Sequence, residues 1–437
     1  MRILIAGNGG RENAIAYSLY NSESFKNSDS KLYCTLSNPG ISVFAECIDI
    51  KPDNINGLMT FCKENKIDFT VVGPEIPLAS GIVNSFTDNN LRIFGPKKEA
   101  AEIETSKVFS KNLMRKYNIP TAKYKNFNPG NYNDCFKFAE EVGFPCVIKA
   151  DGLAAGKGVV IAENKNHLEK TVKEFTETKI FGESGINFVL EEFLKGFELS
   201  VFAVTDGINY IVLPSAQDHK KIGEGDTGKN TGGMGAYASA DFLIDDIVMN
   251  KIKSKIITPT LTALRNENRL YKGCLYCGLI ISNDNADSKE PFVIEFNCRF
   301  GDPETQAVLP LIKSDFLQLL LSSSEERINE YKLETINEYI CCVVLASKGY
   351  PDYFENGKTI TGLDKIDSEC LIFHSGTKFE DKNIVTNGGR VLSVVCKGNT
   401  LKEAISNCYR NAELIMFENK YLRKDIALKG LRAKEKI

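Results

Sequence analysis

The sequence predicts a multidomain chain of mixed α/β and α+β class. Three observations predict it. Over roughly the first hundred residues, short apolar strands alternate with helical stretches and glycine turns, the pattern of an open parallel sheet. Further on, strands flank single helices in compact groups, the pattern of α+β units. The chain also has 437 residues, more than one core usually organises at roughly 150 residues per domain.

Each element follows from its local pattern. Residues 2–6 read as a strand and 11–19 as the start of a helix. Residues 69–72 form a second strand ending at Gly73-Pro74, and 91–94 a third ending at Gly95-Pro96. In parallel sheets of this kind, ligands gather at the loops after the strand ends. Residues 100–117 read as helical until Pro120 breaks the pattern. A helix at 135–142, strands at 146–149 and 159–161, a helix at 167–177 and a strand at 188–191 make a compact unit. More strands follow to about residue 321, interrupted by a long glycine-rich loop over 217–237. Strands at 341–346 and 390–395 and a helix starting near Thr400 form a last unit of about 110 residues.

Composition narrows the function. Hydrophobic residues make up 43% and charged residues 25%, the balance of an ordinary globular protein. A net charge of -3 argues against general nucleic-acid binding. No apolar run approaches the roughly 20 residues that span a bilayer, so no membrane partner is expected. The first residues lack the pattern of a signal peptide, so a cytoplasmic protein is expected. The 13 cysteines are scattered through apolar contexts and read as reduced core residues. Cys274-x-x-Cys277 has no second pair at zinc spacing; burial in a strand is favoured over a metal or redox role.

Five segments carry chemistry. Gly7-Asn8-Gly9-Gly10-Arg11-Glu12 follows a strand and opens a helix, where phosphate is favoured. A phosphate-bearing ligand, a structural turn and a dinucleotide all remain open, because Glu12 stands where a third glycine belongs. In the segment from Lys149 to Gly158, a strand delivers Lys149 and a loop adds glycines and Lys157, a cradle suited to a triphosphate. It enters a strand rather than a helix, so it is no Walker loop; a mobile hairpin with solvated lysines is the plain alternative. Val189 to Ser200 runs from an apolar strand into a connector whose backbone can meet an adenine edge, with a carboxylate behind for ribose. In Pro291 to Gln306, period-two alternation groups Val293, Glu295 and Asn297 on one face and Ile294 and Phe296 on the other. Glu295 and Asn297 are hard oxygen ligands suited to Mg²⁺, the alternative being a solvated strand face. The loop from Gln217 to Tyr237 interleaves Asp218, His219, Lys220 and Asn230 with glycines, and loops this long are functional or disordered.

Together these segments resemble the ATP-grasp ligases, and more narrowly the glycinamide ribonucleotide synthetase (phosphoribosylamine–glycine ligase) family. Gly7 to Glu12, Gly73-Pro74-Glu75, the Lys149 to Gly158 loop, Gln217 to Lys220, Asn230 to Tyr237 and Asn297 to Gln306 occur in that family's order. The resemblance implies an N-terminal open parallel α/β (pre-ATP-grasp) domain over 1–105. It implies an ATP-grasp domain over 106–325 with an inserted lid at about 122–192, and a C-terminal α+β domain over 326–437. It implies that glycine and 5-phosphoribosylamine are joined at the expense of ATP, with Mg²⁺ or Mn²⁺, through glycyl phosphate. By the same resemblance, Lys107 and Lys149 contact ATP phosphates, and Gly156, Lys157 and Gly158 form a flap. The backbone of Glu192 and Leu194 holds adenine, Glu198 the ribose, and Glu295 and Asn297 the metal. Gly9, Gly10 and Glu75 face phosphoribosylamine, and Asp218 and Arg299 take glycine's ammonium and carboxylate. Lys149, Asp218 and Arg299 are the residues expected to act in catalysis. Lys221 and Lys229 depart from the family's common arginine and proline. A monomer acting on small molecules alone is expected, with no fused second enzyme. The rival readings are another ATP-grasp ligase or carboxylase of purine synthesis, and a nicotinamide-dependent oxidoreductase built on the first glycine turn.

Overall fold

The computed structural model describes residues 1–153, 158–282 and 289–435. The N-terminal sheet has five strands in the order Glu46–Ile48, Lys31–Thr35, Arg2–Ala6, Phe69–Val72 and Ile93–Phe94. Every neighbouring pair is parallel. Ile3, Leu4, Ile5 and Ala6 are wholly buried, as a strand covered on both faces requires. Ala6 lies opposite Val72, and the Gly73 N–H donates to the Ala6 carbonyl at 2.9 Å. The two central strands therefore end side by side, which brings the Gly7–Gly9 turn and the Gly73-Pro74-Glu75 turn together.

The helical stretch after this sheet is two helices, Lys98–Thr105 and Lys107–Lys116, not the single one expected. Ser106 is extended, with φ -126° and ψ 113°. Its hydroxyl accepts from the Phe109 N–H at 3.0 Å, so the break is a start signal for the second helix. Asp151, two residues beyond Lys149, also sits at that helix start, accepting from the Val108 N–H at 3.1 Å. The sequence pattern of apolar residues runs through the break and hides it.

A four-stranded antiparallel sheet follows, in the order Tyr124–Phe127, Phe188–Glu192, Cys146–Ala150, Val159–Ala162. The Asp134–Val142 and Lys165–Thr176 helices cover it, and Phe127, Phe175, Phe188 and Leu168 pack into a core of its own.

Among the described residues the largest sheet has ten strands. Its path runs Glu290–Asn297, Gly273–Ser282, Phe197–Thr205, Ala216–Asp218, Gly235–Ala238, Tyr339–Ser347, Arg390–Gly398, Leu371–His374. One hydrogen-bonded surface thus carries strands from both sides of residue 325. The stretch over 217–237, expected as a loop, is instead strands Ala216–Asp218 and Gly235–Ala238 in the large sheet, with a Lys221–Gly223/Thr227–Asn230 hairpin between them. Its glycines obscured these strands, and one partner of Gly235–Ala238, Tyr339–Ser347, lies a hundred residues on. The thirteen cysteines are all free, and all but the partly exposed Cys47 are buried. Cys274 and Cys277 lie in the Gly273–Ser282 strand, which is buried throughout. Among the described residues no helix is long and apolar enough to cross a membrane.

Candidate active site

The strand ends of the N-terminal sheet, the open face of the four-stranded sheet and one end of the large sheet surround a cleft of about 970 Å³. Its lining includes Glu75, Lys107, Lys149, Gly158, Glu192, Leu194, Glu198, Asp218, Glu295, Asn297 and Arg299 from the sequence-predicted set. Gly9 and Gly10 do not line it, although Arg11 and Pro74 beside them do. Gly156 and Lys157 lie outside the described residues.

Lys149 is 3% exposed. Its ammonium donates to the Ile294 carbonyl at 2.8 Å and lies 3.0 Å from Glu191 Oε1. These partners come from different sheets, and Ile294 is 145 positions away. The Ile294 contact has a local cause. Glu295 pairs with Gly278 and Val293 with Leu279, so the register shifts and Ile294 has no partner across the ladder. That extra residue is a bulge. It corrects the expected alternation: Val293 is wholly buried with Phe296, on the opposite face from Glu295 and Asn297. It also leaves the Ile294 carbonyl for Lys149.

Glu295 and Asn297 remain neighbours on the cleft side. Burial pushes the Glu295 carboxyl upward, but Lys220, Lys107, Lys149 and Arg299 more than offset this and hold it at about 2. Lys220 bridges two acids, 3.3 Å from Glu198 and 3.9 Å from Glu295. Lys107 donates to the Glu104 carbonyl at 2.8 Å. Arg299 sits between Glu75 at 3.3 Å and Glu104 at 2.9 Å, and also reaches Asn297 Oδ1 at 3.4 Å. Burial raises the Glu75 carboxyl, yet Arg299 and Arg11 outweigh it and hold Glu75 at about 2.

Asp218 is placed differently. It is 7% exposed and accepts from the His219 N–H at 2.5 Å. Burial, Glu304 and Glu198 push its carboxyl well above the usual range, with Lys220 and that N–H opposing only in part. An acid short of cations at the edge of a cleft is suited to receive a cationic ligand.

The first glycine turn is closed by its own helix. Glu12 reaches back to accept from the Gly9 N–H at 2.7 Å and pairs with Arg11 at 2.6 Å. A side chain added at Gly73 would run into the Glu12 side chain, so that position stays bare. A third glycine is absent because its place is taken by the residue that ties the turn together.

Sequence reasoning missed several groups. Arg390 donates to the Gly232 and Asp302 carbonyls at 2.5 and 2.9 Å and pairs with the Asp302 carboxylate at 3.0 Å. Tyr350 accepts from the Gly232 N–H at 2.9 Å, and Lys429 donates to the Asp218 carbonyl at 3.2 Å. All three lie in the last hundred residues, where no motif marks them. Val147, Ile161 and Ile280 give the cleft an apolar wall beside Phe193 and Leu194, a slot of the kind that takes a flat base. Lys221 and Lys229 are used at the rim: the Lys221 carbonyl accepts from Arg423 at 2.9 Å, and Lys229 pairs with Asp352 at 2.8 Å.

Three family models match the chain. They describe the phosphoribosylglycinamide synthetase N domain over residues 1–104, the ATP-grasp (A) domain over 105–305 and the C domain over 340–429. The phosphoribosylamine–glycine ligase of Caldanaerobacter subterraneus subsp. tengcongensis is 45% identical over 427 residues, covering 98% of this chain and 99% of that one. The ligase of the same name from Chlorobaculum tepidum is 44% identical over 438 residues, covering 99% and 100%. The crystal structure of phosphoribosylamine–glycine ligase from Thermotoga maritima superposes with a TM-score of 0.82 at 33% identity, over 98% of this chain and 100% of that one. Biotin carboxylase from Campylobacter jejuni shares the fold alone, with a TM-score of 0.72 at 16% identity over 98% and 94% of the two chains. The N-terminal parallel sheet, the shared cleft and these matches agree, and the chain belongs to the phosphoribosylglycinamide synthetase family.

Proposed function

We propose that this chain joins glycine to 5-phosphoribosylamine, with ATP converted to ADP and phosphate, to give glycinamide ribonucleotide in purine biosynthesis. The observation that carries the reading is the meeting of Lys149 with the Glu295–Asn297 strand in one cleft. The full-length likeness to phosphoribosylamine–glycine ligases supports the choice of substrates.

The chemistry suits these residues. A carboxylate acylates poorly, so glycine's carboxylate attacks the γ-phosphate of ATP and acquires phosphate as a leaving group. The amine of phosphoribosylamine then displaces that phosphate, forming the amide. Two anions must meet in the first step, and Lys107, Lys149, Lys220 and Arg299 lower their repulsion. No protein nucleophile is needed; the work is positioning and charge. Asp218 holds glycine's ammonium and Arg299 its carboxylate. Glu192 and Leu194 hold adenine by their backbone, Glu198 takes the ribose, and Gly156, Lys157 and Gly158 close over the phosphates. Gly9, Gly10 and Glu75 face phosphoribosylamine.

The donor set fits a hard dication. Glu295 and Asn297 offer two oxygens on one strand face, Glu295 stays ionised down to about pH 2, and phosphate oxygens and water would complete the shell. Bound there, Mg²⁺ or Mn²⁺ would neutralise phosphate charge. We further assign residues 1–105 to phosphoribosylamine, 106–325 to ATP with an inserted lid at about 122–192, and 326–437 to a C-terminal unit. We assign the chain to the cytoplasm as a monomer.

A coupled ADP-release assay with glycine and freshly made phosphoribosylamine tests the function. ADP release that needs both substrates is expected. Release that ignores glycine would point instead to another ATP-grasp ligase or carboxylase.

A further inference from the structure

Glu191 carries two lysines. Lys149 lies 3.0 Å from its Oε1 and Lys111 2.9 Å from its Oε2. All three side chains are buried, at 2 to 3% exposure for the residues. A single buried carboxylate needs one cation, so one ammonium is in excess. The two lysines are held differently. Lys149 and Glu191 line the cleft, whereas Lys111 does not. Lys111 also donates to the Thr121 hydroxyl at 2.6 Å, and that hydroxyl donates to the Val293 carbonyl at 2.7 Å. The Tyr124 ring lies 5.6 Å from the Lys111 ammonium, and its hydroxyl donates to the Lys111 carbonyl at 2.7 Å. Lys111 is therefore fixed behind the wall, and Lys149 is the one that faces an arriving ligand.

We propose that Lys111 is a positioning residue: a fixed counter-charge that keeps Glu191 neutralised while Lys149 turns to the phosphates of ATP. This rests on the reading that Lys149 serves those phosphates. Before nucleotide binds, Glu191 and the Ile294 carbonyl hold Lys149 extended toward the cleft. When the triphosphate takes Lys149, Glu191 keeps Lys111 and no bare carboxylate is left buried. Burial lowers the Lys111 ammonium to about 8, with Glu191 resisting and Lys149 adding to the fall. Departure of Lys149 toward phosphate thus also relieves the repulsion between the two ammonium groups.

Without Lys111, the same movement strands Glu191, which must then take a proton from solvent. The groups facing Glu191 are Lys111 from the Lys107–Lys116 helix, Lys149 from the Cys146–Ala150 strand and Tyr124 from the Tyr124–Phe127 strand. Glu192 beside it adds negative charge near Lys111, and Glu295 lies beyond Lys149. None of these can replace the lost cation. ATP binding in Lys111→Met therefore becomes coupled to proton uptake, and its KM rises with pH.

The test measures KM for ATP by ADP release between about pH 6 and 7.5, where Lys111 of the wild type, held at about 8, keeps its proton, with thermal unfolding as the check on folding. Lys111→Met is expected to raise KM for ATP about tenfold at neutral pH with kcat within about threefold, and to make that KM climb with pH where the wild type does not. Lys111→Met combined with Glu191→Gln removes the stranded charge, and is expected to return KM to within about threefold and to flatten its pH response. An unchanged or pH-independent KM in Lys111→Met overturns the proposal. If that variant does not fold, the double variant decides: about a tenfold rise in its KM overturns the idea. Lys149→Met separates the two readings. If it leaves KM for ATP unchanged, the phosphate role of Lys149 fails; if it raises KM while Lys111→Met does not, only the counter-charge fails.

Discussion

Glu295 and Asp218 open on the same cleft, and their surroundings push them in opposite directions. Around Glu295 four cations, Lys220, Lys107, Lys149 and Arg299, outweigh burial and hold the carboxyl at about 2. Around Asp218 burial and the carboxylates of Glu304 and Glu198 prevail, and the carboxyl is raised. The difference is one of supply. The Glu295 corner already has its positive charge and stays ionised, so a metal ion meets no competing proton. The Asp218 corner lacks it and gains most from a ligand that brings its own, as glycine's ammonium does.

The largest effect expected from this contrast is at Glu295. Glu295→Ala should lower turnover about a thousandfold while thermal unfolding is little changed, because Lys220 keeps Glu198 as a partner and the half-buried position loses only a ligand. Near-normal turnover at saturating Mg²⁺ would break the metal assignment.

Asp218→Asn should raise KM for glycine about a hundredfold, the cost of leaving an ammonium opposite a neutral amide. The same change should raise Tm of the ligand-free protein by about 2 to 4 °C, since it removes a carboxylate that is ionised at a cost. In the wild type, KM for glycine should rise as pH falls, because protonation of Asp218 removes its charge; the Asn variant should lose that response. A KM for glycine that is flat with pH in both proteins would remove Asp218 from the ammonium site.

The same argument with the sign of charge reversed applies to two buried histidines. Burial lowers His219 to about 3, with Lys429 and Arg423 adding to the fall, and lowers His374 to about 4. His219 Nε2 accepts from the Ala427 N–H at 3.2 Å, so the neutral ring is the one that fits. The unfolded chain binds these protons more readily. Stability should therefore be intact above about pH 6.5 and fall as pH drops from there toward 4 and 3, by up to about 1.4 kcal/mol per pH unit for each ring. Urea unfolding at stepped pH measures the slope, and His219→Gln should reduce it. A slope unaltered by that change would mean that His219 is charged in the folded protein.

The smallest effect is expected where charge lies in the open. Lys229 and Asp352 pair at 2.8 Å with both side chains more than 60% exposed. Asp352→Ala should move Tm by no more than about 2 °C, since water and salt screen such a pair. A larger shift would show that the rim hairpin depends on that pair.

Much of the fold is legible in local pattern. The strands at Arg2–Ala6 and Phe69–Val72 appear where apolar runs meet glycine turns, because a strand buried on both faces leaves little room for polar residues. In the antiparallel group the strands at Cys146–Ala150, Val159–Ala162 and Phe188–Glu192 are legible as apolar runs between breaks, but Tyr124–Phe127, where only Phe127 is buried, is not. The Gly235–Ala238 strand is not, because its partner Tyr339–Ser347 supplies the evidence for it and lies far along the chain. Nor is the bulge at Ile294, which depends on the facing register at Gly278 and Leu279.

The site divides in the same way. The chemistry of each segment is set by residue type: a lysine at a strand end, an acid and an amide two positions apart, glycines that admit phosphate. Sequence by itself determined which groups are available, since charge and donor type belong to the side chain. Tertiary structure decided which of them share a charge. It brought Lys149 to the carbonyl of Ile294, set two lysines on Glu191, surrounded Glu295 with cations and left Asp218 without enough of them. Those balances depend on distance and burial, and neither exists until strands remote in the chain have paired.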